Sequence, residues 1–312
     1  NLNIKLPQPL VPRDLRFTLK ERCLASGKIM LKPKINEINI LAKKLASLKI
    51  EAIAIGFLHS YTNAENELFV KNTLRKFLPP KITLCTSHQI CPEVREYERF
   101  STTVANSFVR PLMIRYLDSL EKSLIKLGFK GKMFLISSDA GITTISQSKK
   151  FPIRLVESGP AGGVALASYI SKSLNENKSI SLDIGGTTAK ICYLKNGNAI
   201  KERKFEIARS DISKKGSGLP LKIPSIDLLE IGAGGGSIAK VDDTGRIKIG
   251  PESMGANPGP SCYNLGGQKP TITDANLIIG RITEKKFSDN SISLEKRNSN
   301  KAIKENIKKV LN

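Results

Sequence analysis

Residues 37–48, EINILAKKLASL, place apolar side chains at Ile38, Leu41, Leu45 and Leu48. That three-and-four spacing predicts a helix with one buried stripe. The next apolar run, EAIAIGFL at 51–58, is short and partly β-branched, so it predicts a buried strand. NAENELFVKNTLRKFL at 63–78 opens on an Asn cap and early acids and stops at Pro79-Pro80, the start and stop signals of a helix. KITLCTS at 81–87 reads as a second strand. Helix and strand therefore alternate, which predicts an α/β arrangement with a parallel or mixed sheet.

Residues 93–127 form one long helical pattern, with Pro111 expected to break or kink it and Gly128 to end it. KMFLIS at 132–137 predicts a strand, and SSDAGITT at 137–144 a polar turn. From about residue 180 onward the pattern changes to short strands separated by Gly- and Pro-rich turns. The stretch after 283 is polar and Lys-rich, and is expected to be poorly ordered. The start lacks an initiator Met and the last residues stop inside a helical pattern. The expectation is a portion of a longer chain.

Composition narrows the class. The 312 residues are 40% hydrophobic and 25% charged, an ordinary globular balance. No apolar run reaches the ~18 residues of a membrane helix. The N-terminal NLNIKLPQPL lacks the basic-then-apolar secretory pattern. The five cysteines (Cys23, Cys85, Cys91, Cys192, Cys262) are scattered and contain no C-x-x-C pair. Free thiols in a reducing cytoplasm are expected. Two histidines, His59 and His88, speak against a His-rich metal centre; both sit at predicted strand ends and are read as structural. Glu93, Glu96 and Glu98 are read as a solvated face or ion-pair partners. The net charge of +22 suits an anionic ligand. Aromatics are only 5%, Trp is absent, and no stretch interleaves basic with aromatic residues. No nucleic-acid or membrane partner is expected.

Four glycine-rich stretches carry the candidate chemistry. In SISLDIGGTTAKICYLKNGNAI (179–200) the turn at Gly185 and Gly186 is flanked by strands, and Asn196-Gly197 signals a hairpin. A P-loop needs a following Lys and helix, and a Rossmann loop also feeds a helix. A strand-flanked Gly-Gly-Thr-Thr turn is a different device for phosphate, and it also reads as a plain tight hairpin. Like charges keep Asp183 from binding phosphate directly, but it suits a Mg²⁺ water shell or the orientation of an attacking group. EIGAGGGSIAKVDDTGRIKIG (230–250) misses G-x-G-x-x-G because Ser237 takes the last place, and it leads into a hairpin. It reads either as backbone against a flat ligand or as a flexible crossover. ESGPAGGVALASYISKSL (157–174) predicts a helix with Pro160 in its first turn, a possible cap at Ser158 and a stripe of Val164, Ala167, Ile170 and Leu174. GPESMGANPGPSCYNLGGQKPTITDANLIIGR (250–281) holds Glu252 and Asp274, the latter a helix N-cap candidate.

These motifs, in this order, resemble the hydantoinase A/5-oxoprolinase family. EAIAIGFLHSYTNAENE and SHQICPEVREYERFSTTVANSFVRP resemble its upstream segments, and the resemblance runs from about residue 50 to 281. It implies actin-like ATPase (ribonuclease H-like) α/β lobes. It divides the chain into the C-terminal part of an N-terminal domain (1–92), an ATPase core (93–282) and a tail (283–312). It implies ATP-dependent opening of a cyclic amide or imide by phosphorylation of the ring carbonyl oxygen, with Mg²⁺ and a hydantoinase B-type partner subunit or fused domain. Related readings are a ketone carboxylase subunit and a nucleotide-binding subunit or regulator without turnover. By resemblance, Asp183 is catalytic and holds metal through water; Gly185, Gly186, Thr187 and Thr188 take phosphate; Gly232, Gly234, Gly235, Gly236 and Ser237 line the nucleotide.

Departures from the family pattern are specific. Its Asp-Gly-Gly-Thr hairpin, a first phosphate loop, has no counterpart before residue 50, so the lobes are expected to be incomplete. Asp139-Ala140 replaces Asn-Gly, and Gln89 stands where an acid is common. Leu229 and Glu230 replace the usual His-Thr, and Lys190 ends a segment that usually ends in Asp.

Overall fold

The computed structural model describes residues 7–210, 216–284, 287 and 292–311. The chain divides into two compact units, residues 1–162 with 201–226, and residues 163–200 with 227–312. Each mixes helix and strand.

In the first unit, helix Ile35–Ala46 buries Ile38, Ala42 and Leu45. These residues fall on one helical face, as the spacing predicts. They pack with Val70 and Leu74 of helix Glu65–Phe77, with Leu78, Ile82 and Leu84, and with Ile55. Strands Ala52–Ile55 and Thr83–Thr86 pair in parallel, the geometry a strand-helix-strand unit requires. Both strands are shorter than the apolar runs that announce them. Asn63 stands just outside its helix, and its Oδ1 accepts the Glu65 N–H at 3.0 Å.

Pro111 does not break the long helix, which runs without interruption from Glu96 to Lys126. A proline inside a helix removes a backbone bond, a cost of about 3 kcal/mol in isolation. Here tertiary contacts hold the segment. Pro111, Ala105, Asn106 and Ser107 are buried, Asn106 donates to the Lys150 carbonyl at 3.2 Å and accepts from the Ile153 N–H at 3.3 Å, and Thr102 accepts from the Lys222 N–H at 2.8 Å. Gly128 ends the helix at φ +87°. The polar turn after strand Phe134–Ile136 is tighter than expected, because 142–144 return as an antiparallel strand.

In the second unit, strands Lys178–Ile184, Ala189–Lys195 and Leu229–Ile231 form an antiparallel sheet, and Asn198–Ala199 pairs with the end of the middle strand. Asn196 and Gly197, both at positive φ, make the intervening turn. Strands Ser237–Val241 and Ile247–Ser253 form the hairpin read from the sequence. Helix Ser158–Ser173 includes Ser158 as its first residue. Val164 is buried, but Ile170 and Leu174 of the expected stripe are exposed.

The tail departs from expectation. Its first residues, 285–286 and 288–291, lie outside the described set, but Lys296–Ile303 is helical and helix continues to Leu311. Leu294 packs against Cys262 and Leu277, and Ser299 is fully buried. All five cysteines are buried free thiols. No helix among the described residues is long and apolar enough to cross a membrane.

Candidate functional site

The turn at 185–188 joins two strands in tight register, with Ile184 opposite Ala189 and Asp183 opposite Lys190. One bond closes it, from the Gly185 N–H to the Thr188 carbonyl at 2.9 Å. The Gly185 carbonyl, which a two-residue turn would use for the return bond, accepts instead from the Gly235 N–H at 2.9 Å. The second glycine motif therefore lies on the first.

Sheet topology explains the meeting. Leu229–Ile231 runs antiparallel to the middle strand and ends with Ile231 opposite Ala189. The chain thus leaves the sheet at the end where the turn protrudes, and 232–236 fold over it. The Gly236 N–H donates to the Gly186 carbonyl at 2.7 Å. A Cβ at Gly234 would stand 2.7 Å from the Gly185 oxygen and the Thr187 carbonyl carbon, all backbone atoms that cannot swing aside. One at Gly236 would meet Ser253 Oγ at 2.8 Å and the Gly186 oxygen at 3.0 Å. The brace is itself held: the Gly235 carbonyl accepts the Thr273 N–H and hydroxyl, both at 2.8 Å, and the Gly236 carbonyl accepts the Met254 N–H at 2.9 Å.

This arrangement separates the two glycine groups chemically. Gly234 N–H is spent on Ser237 Oγ at 2.8 Å, Ser237 N–H on the Gly234 carbonyl at 2.9 Å, and the Gly235 and Gly236 amides on the turn. Gly232 stays open, with Pro251 Cβ at 3.8 Å as its nearest neighbour. The unspent donors belong to the turn. Among the described residues, the N–H groups of Gly186, Thr187 and Thr188 have no protein acceptor. Gly186 and Thr187 are exposed, and the space where a Gly186 Cβ would stand is empty to 4 Å. Consecutive free amides beside Thr hydroxyls are a donor set for the oxygens of an anion.

Asp183 is exposed at the end of its strand. Lys190 faces it across the pair, and Glu230 faces Lys190 on the third strand, so the three form a row on one side of the sheet. Lys190 Nζ lies 2.8 Å from Glu230 Oε1. Two departures from the family pattern are thus each other's partners. Among the described residues no group of three His, Cys, Asp or Glu side chains converges on a metal position. A Mg²⁺ that keeps its waters and phosphate ligands needs only one or two carboxylates, and Asp183 beside the free amides fits such an ion.

Asp274 is not the N-cap. Thr271 is, and Asp274 is the third helical residue of a capping box. It is fully buried and accepts from the Ser261 N–H (3.2 Å), the Cys262 N–H (2.8 Å), the Thr271 N–H and hydroxyl (2.9 and 2.8 Å) and the Ser299 hydroxyl (2.7 Å). It clamps the Pro-rich loop to two helices. Exposed Glu252 pairs with Lys240 at 2.9 Å.

A second buried polar cluster lies in the first unit; the sequence reading singles out only His88 of its core, as structural, and Glu93 and Glu96 at its edge, as a solvated face or ion-pair partners. Glu67 is fully buried. It accepts from the Phe57 N–H (3.0 Å), Ser60 Oγ (2.8 Å), Ser87 Oγ (2.5 Å) and the His88 N–H (3.0 Å), and its Oε2 lies 2.7 Å from His88 Nδ1. Arg99, also fully buried, donates to Ser87 Oγ at 3.1 Å and to the Phe57 carbonyl at 2.8 Å. Glu96 accepts from Arg99 at 3.4 Å, and Glu93 pairs with Arg203 at 3.0 Å. The signal available beforehand was the place of Glu67 three and seven residues before Val70 and Leu74, which puts a carboxylate on the buried stripe of its helix.

Comparison with known proteins places these features in a family. The model of the hydantoinase/oxoprolinase family matches residues 99–312, and that of the hydantoinase/oxoprolinase N-terminal region matches residues 1–78. An uncharacterised protein of Methanocaldococcus jannaschii is 40% identical over 99% of this chain and 46% of its own length. Caprolactamase subunit alpha of Pseudomonas jessenii is 32% identical over 96% of this chain and 41% of its own. The 5-oxoprolinase of Saccharomyces cerevisiae is 31% identical over 86% of this chain and 20% of its own. The crystal structure of the ATP-dependent caprolactamase from Pseudomonas jessenii has a TM-score of 0.75 at 30% identity, covering 97% of this chain and 42% of that one. The nucleotide-free structure of acetone carboxylase, from work on ATP-dependent acetone carboxylation, has the same TM-score at 26% identity, covering 98% and 42%. The chain spans less than half the length of these relatives.

Proposed function

The chain belongs to the hydantoinase/oxoprolinase family, and from that premise we propose that it is the nucleotide-binding part of an enzyme that opens a cyclic amide or imide at the expense of ATP. The observation that carries this reading is the braced turn at 185–188, whose amides at Gly186, Thr187 and Thr188 have no protein acceptor while the GAGGGS backbone holds the turn in place. We assign the phosphate contacts to Gly186, Thr187 and Thr188. Gly185, Gly234, Gly235, Gly236 and Ser237 are assigned to shaping that turn, and Gly232 to the open backbone beside it. Asp183 is assigned to a Mg²⁺ ion through water. The lobes are read as actin-like, with the domain boundary near residue 92, between the two family matches.

In this reading ATP supplies a phosphoryl group that converts the ring carbonyl oxygen into a leaving group, and water completes the opening to a carboxylate. The protein's share is positioning and charge stabilisation, which dominate phosphoryl transfer. The named relatives include subunits, caprolactamase alpha and acetone carboxylase beta, which supports a hydantoinase B-type partner or fused domain. The setting is taken as cytoplasmic.

The test is ADP release by the full-length protein with its partner, with 5-oxoproline, caprolactam, hydantoin or acetone as the second substrate. Stimulation by a ring substrate, lost in Asp183→Asn, supports the proposal; stimulation by acetone alone moves the assignment to ketone carboxylation. A second reading rests on Lys190 and Glu230, whose ion pair occupies the row beside Asp183: a module that binds nucleotide without turnover. It predicts ATP binding with no ADP release under any of these conditions.

A further inference from the structure

The first unit contains a cleft of ≈790 Å³ whose rim is cationic. Lys71, Arg75, Arg110 and Lys150 all line it, and no carboxylate does. Among the described residues none of the four has a carboxylate within ion-pair distance. Neighbouring Lys149, by contrast, pairs with Asp118 at 2.5 Å and Glu121 at 3.4 Å. Four unmatched positive charges around one concavity repel each other, and the fold holds them there. Arg75 is fixed by the Pro79 and Ile82 carbonyls at 3.1 and 2.6 Å. Arg110 is fixed through Nε by the Lys149 carbonyl at 3.0 Å and through one Nη by Cys85 Sγ at 3.3 Å. Lys71 leans on the Gln89 side chain at 3.0 Å, which leaves it further protons to donate.

We propose that this cleft is a second anion site, for a small polyphosphate, free or as the tail of a nucleotide. Two guanidinium groups, each keeping further N–H protons beyond the bonds that fix it, and two ammonium groups line the one cleft, and four cations suit several phosphate oxygens better than one carboxylate. The cleft volume lies within the range of ligand sites, far more than a single phosphate fills. Burial, together with Arg110 and Arg75 nearby, holds the Lys71 ammonium below its usual pKa despite Cys85 and the more distant Glu67 carboxylate. A bound polyanion would reverse that crowding. The site involves none of the glycine-turn residues, and it stands whether or not the chain hydrolyses ATP.

The test is calorimetric titration of the full chain with inorganic tripolyphosphate and, separately, with ADP, at 0.15 M NaCl, where exposed charges more than about 8 Å apart are screened. Three variants are compared: Lys71→Glu with Lys150→Glu; Lys122→Glu with Lys126→Glu, an equal change of charge on the exposed end of the long helix; and Gly186→Val in the glycine turn. Circular dichroism checks that each is folded. Tripolyphosphate can enter both the cleft and the glycine turn, so the cleft is read in the Gly186→Val background, where the remaining affinity should be weakened about tenfold or more by the cleft pair and less than about twofold by the helix-end pair. If ADP binds the Gly186→Val protein as tightly as tripolyphosphate does and the cleft pair removes that binding, the occupant is a nucleotide tail; if in that background only tripolyphosphate binds, it is free polyphosphate. Equal weakening by the two lysine pairs would assign binding to overall charge, and loss confined to Gly186→Val would assign it to the glycine turn. Either result overturns the proposal.

Discussion

Gly234→Ala isolates the structural part of the site from its binding part. Gly234 has no left-handed backbone requirement, so the substitution adds one methyl and no conformational strain. That methyl would stand 2.7 to 2.8 Å from the backbone of Gly185 and Thr187. Backbone atoms in a hydrogen-bonded turn cannot rotate away, so the two loops must separate. Overpacking of this kind costs about 1–3 kcal/mol, and weakening the two bonds from Gly235 and Gly236 to the turn adds about 1 kcal/mol. A total of about 3 kcal/mol lowers the melting temperature on the order of 10 °C for a unit of this size. Gly186→Ala is the matched control. Nothing lies within 4 Å of its new Cβ, so stability should stay within about 0.5 kcal/mol, while the methyl intrudes where phosphate would sit. Thermal unfolding followed by circular dichroism, with ATP titrations on both variants, separates the effects. Gly234→Ala should lose stability and binding together, and Gly186→Ala binding alone. A Gly234→Ala protein that melts with the wild type would refute the brace.

Other outcomes follow from the same structure. Burial pushes the Glu67 carboxyl up, but hydrogen bonds from His88, Ser87 and Ser60 outweigh it and hold its pKa below the usual value. A lowered folded pKa stabilises above the unfolded value of about 4.3 and is lost as pH falls through the folded value. Urea midpoints should therefore drop below about pH 4.3, and Glu67→Gln should be less stable at neutral pH with a flatter acid limb. Asp274→Asn removes the charged acceptor of five donors and should cost about 3 kcal/mol, read from urea unfolding. Burial, with Asp274 beside it, pushes the Cys262 thiol up to about 12. Iodoacetamide at pH 8 should leave it unmodified until the protein is unfolded, as mass spectrometry of digested peptides can show. Asp183→Asn in the full-length protein should slow ADP release at least about 100-fold with ATP affinity changed less than twofold.

Local pattern carried much of this fold. The helix at 35–46 buries the face its spacing predicts, the helix at 65–77 stops short of Pro79-Pro80 as its stop signal requires, and Asn196-Gly197 makes the expected turn. Pro111 shows the limit: local sequence encodes the lost backbone bond but not the Asn106 and Thr102 contacts that hold the helix through it. The tail misled for the converse reason. Its Lys-rich surface resembles a solvated segment, yet Ser299, Ala302 and Ile307 are buried among contacts made far along the chain. In the site, the sequence offered two glycine groups as separate ligand contacts, one for phosphate and one for the rest of the nucleotide. Only the pairing of Ile231 with Ala189 brings them together, and only in the folded chain does one group spend its amides holding the other. The pairing of Lys190 with Glu230 was equally hidden, because forty residues separate two oddities that occupy neighbouring strands.

The central claim is that the free amides of the 185–188 turn hold a nucleotide's phosphates. Titration of the chain with ATP and Mg²⁺ in a calorimeter tests it most directly. The account predicts saturable one-to-one binding that Gly186→Val weakens about tenfold or more without changing the melting temperature of the free protein. No measurable binding, or binding that Gly186→Val leaves intact, would contradict it.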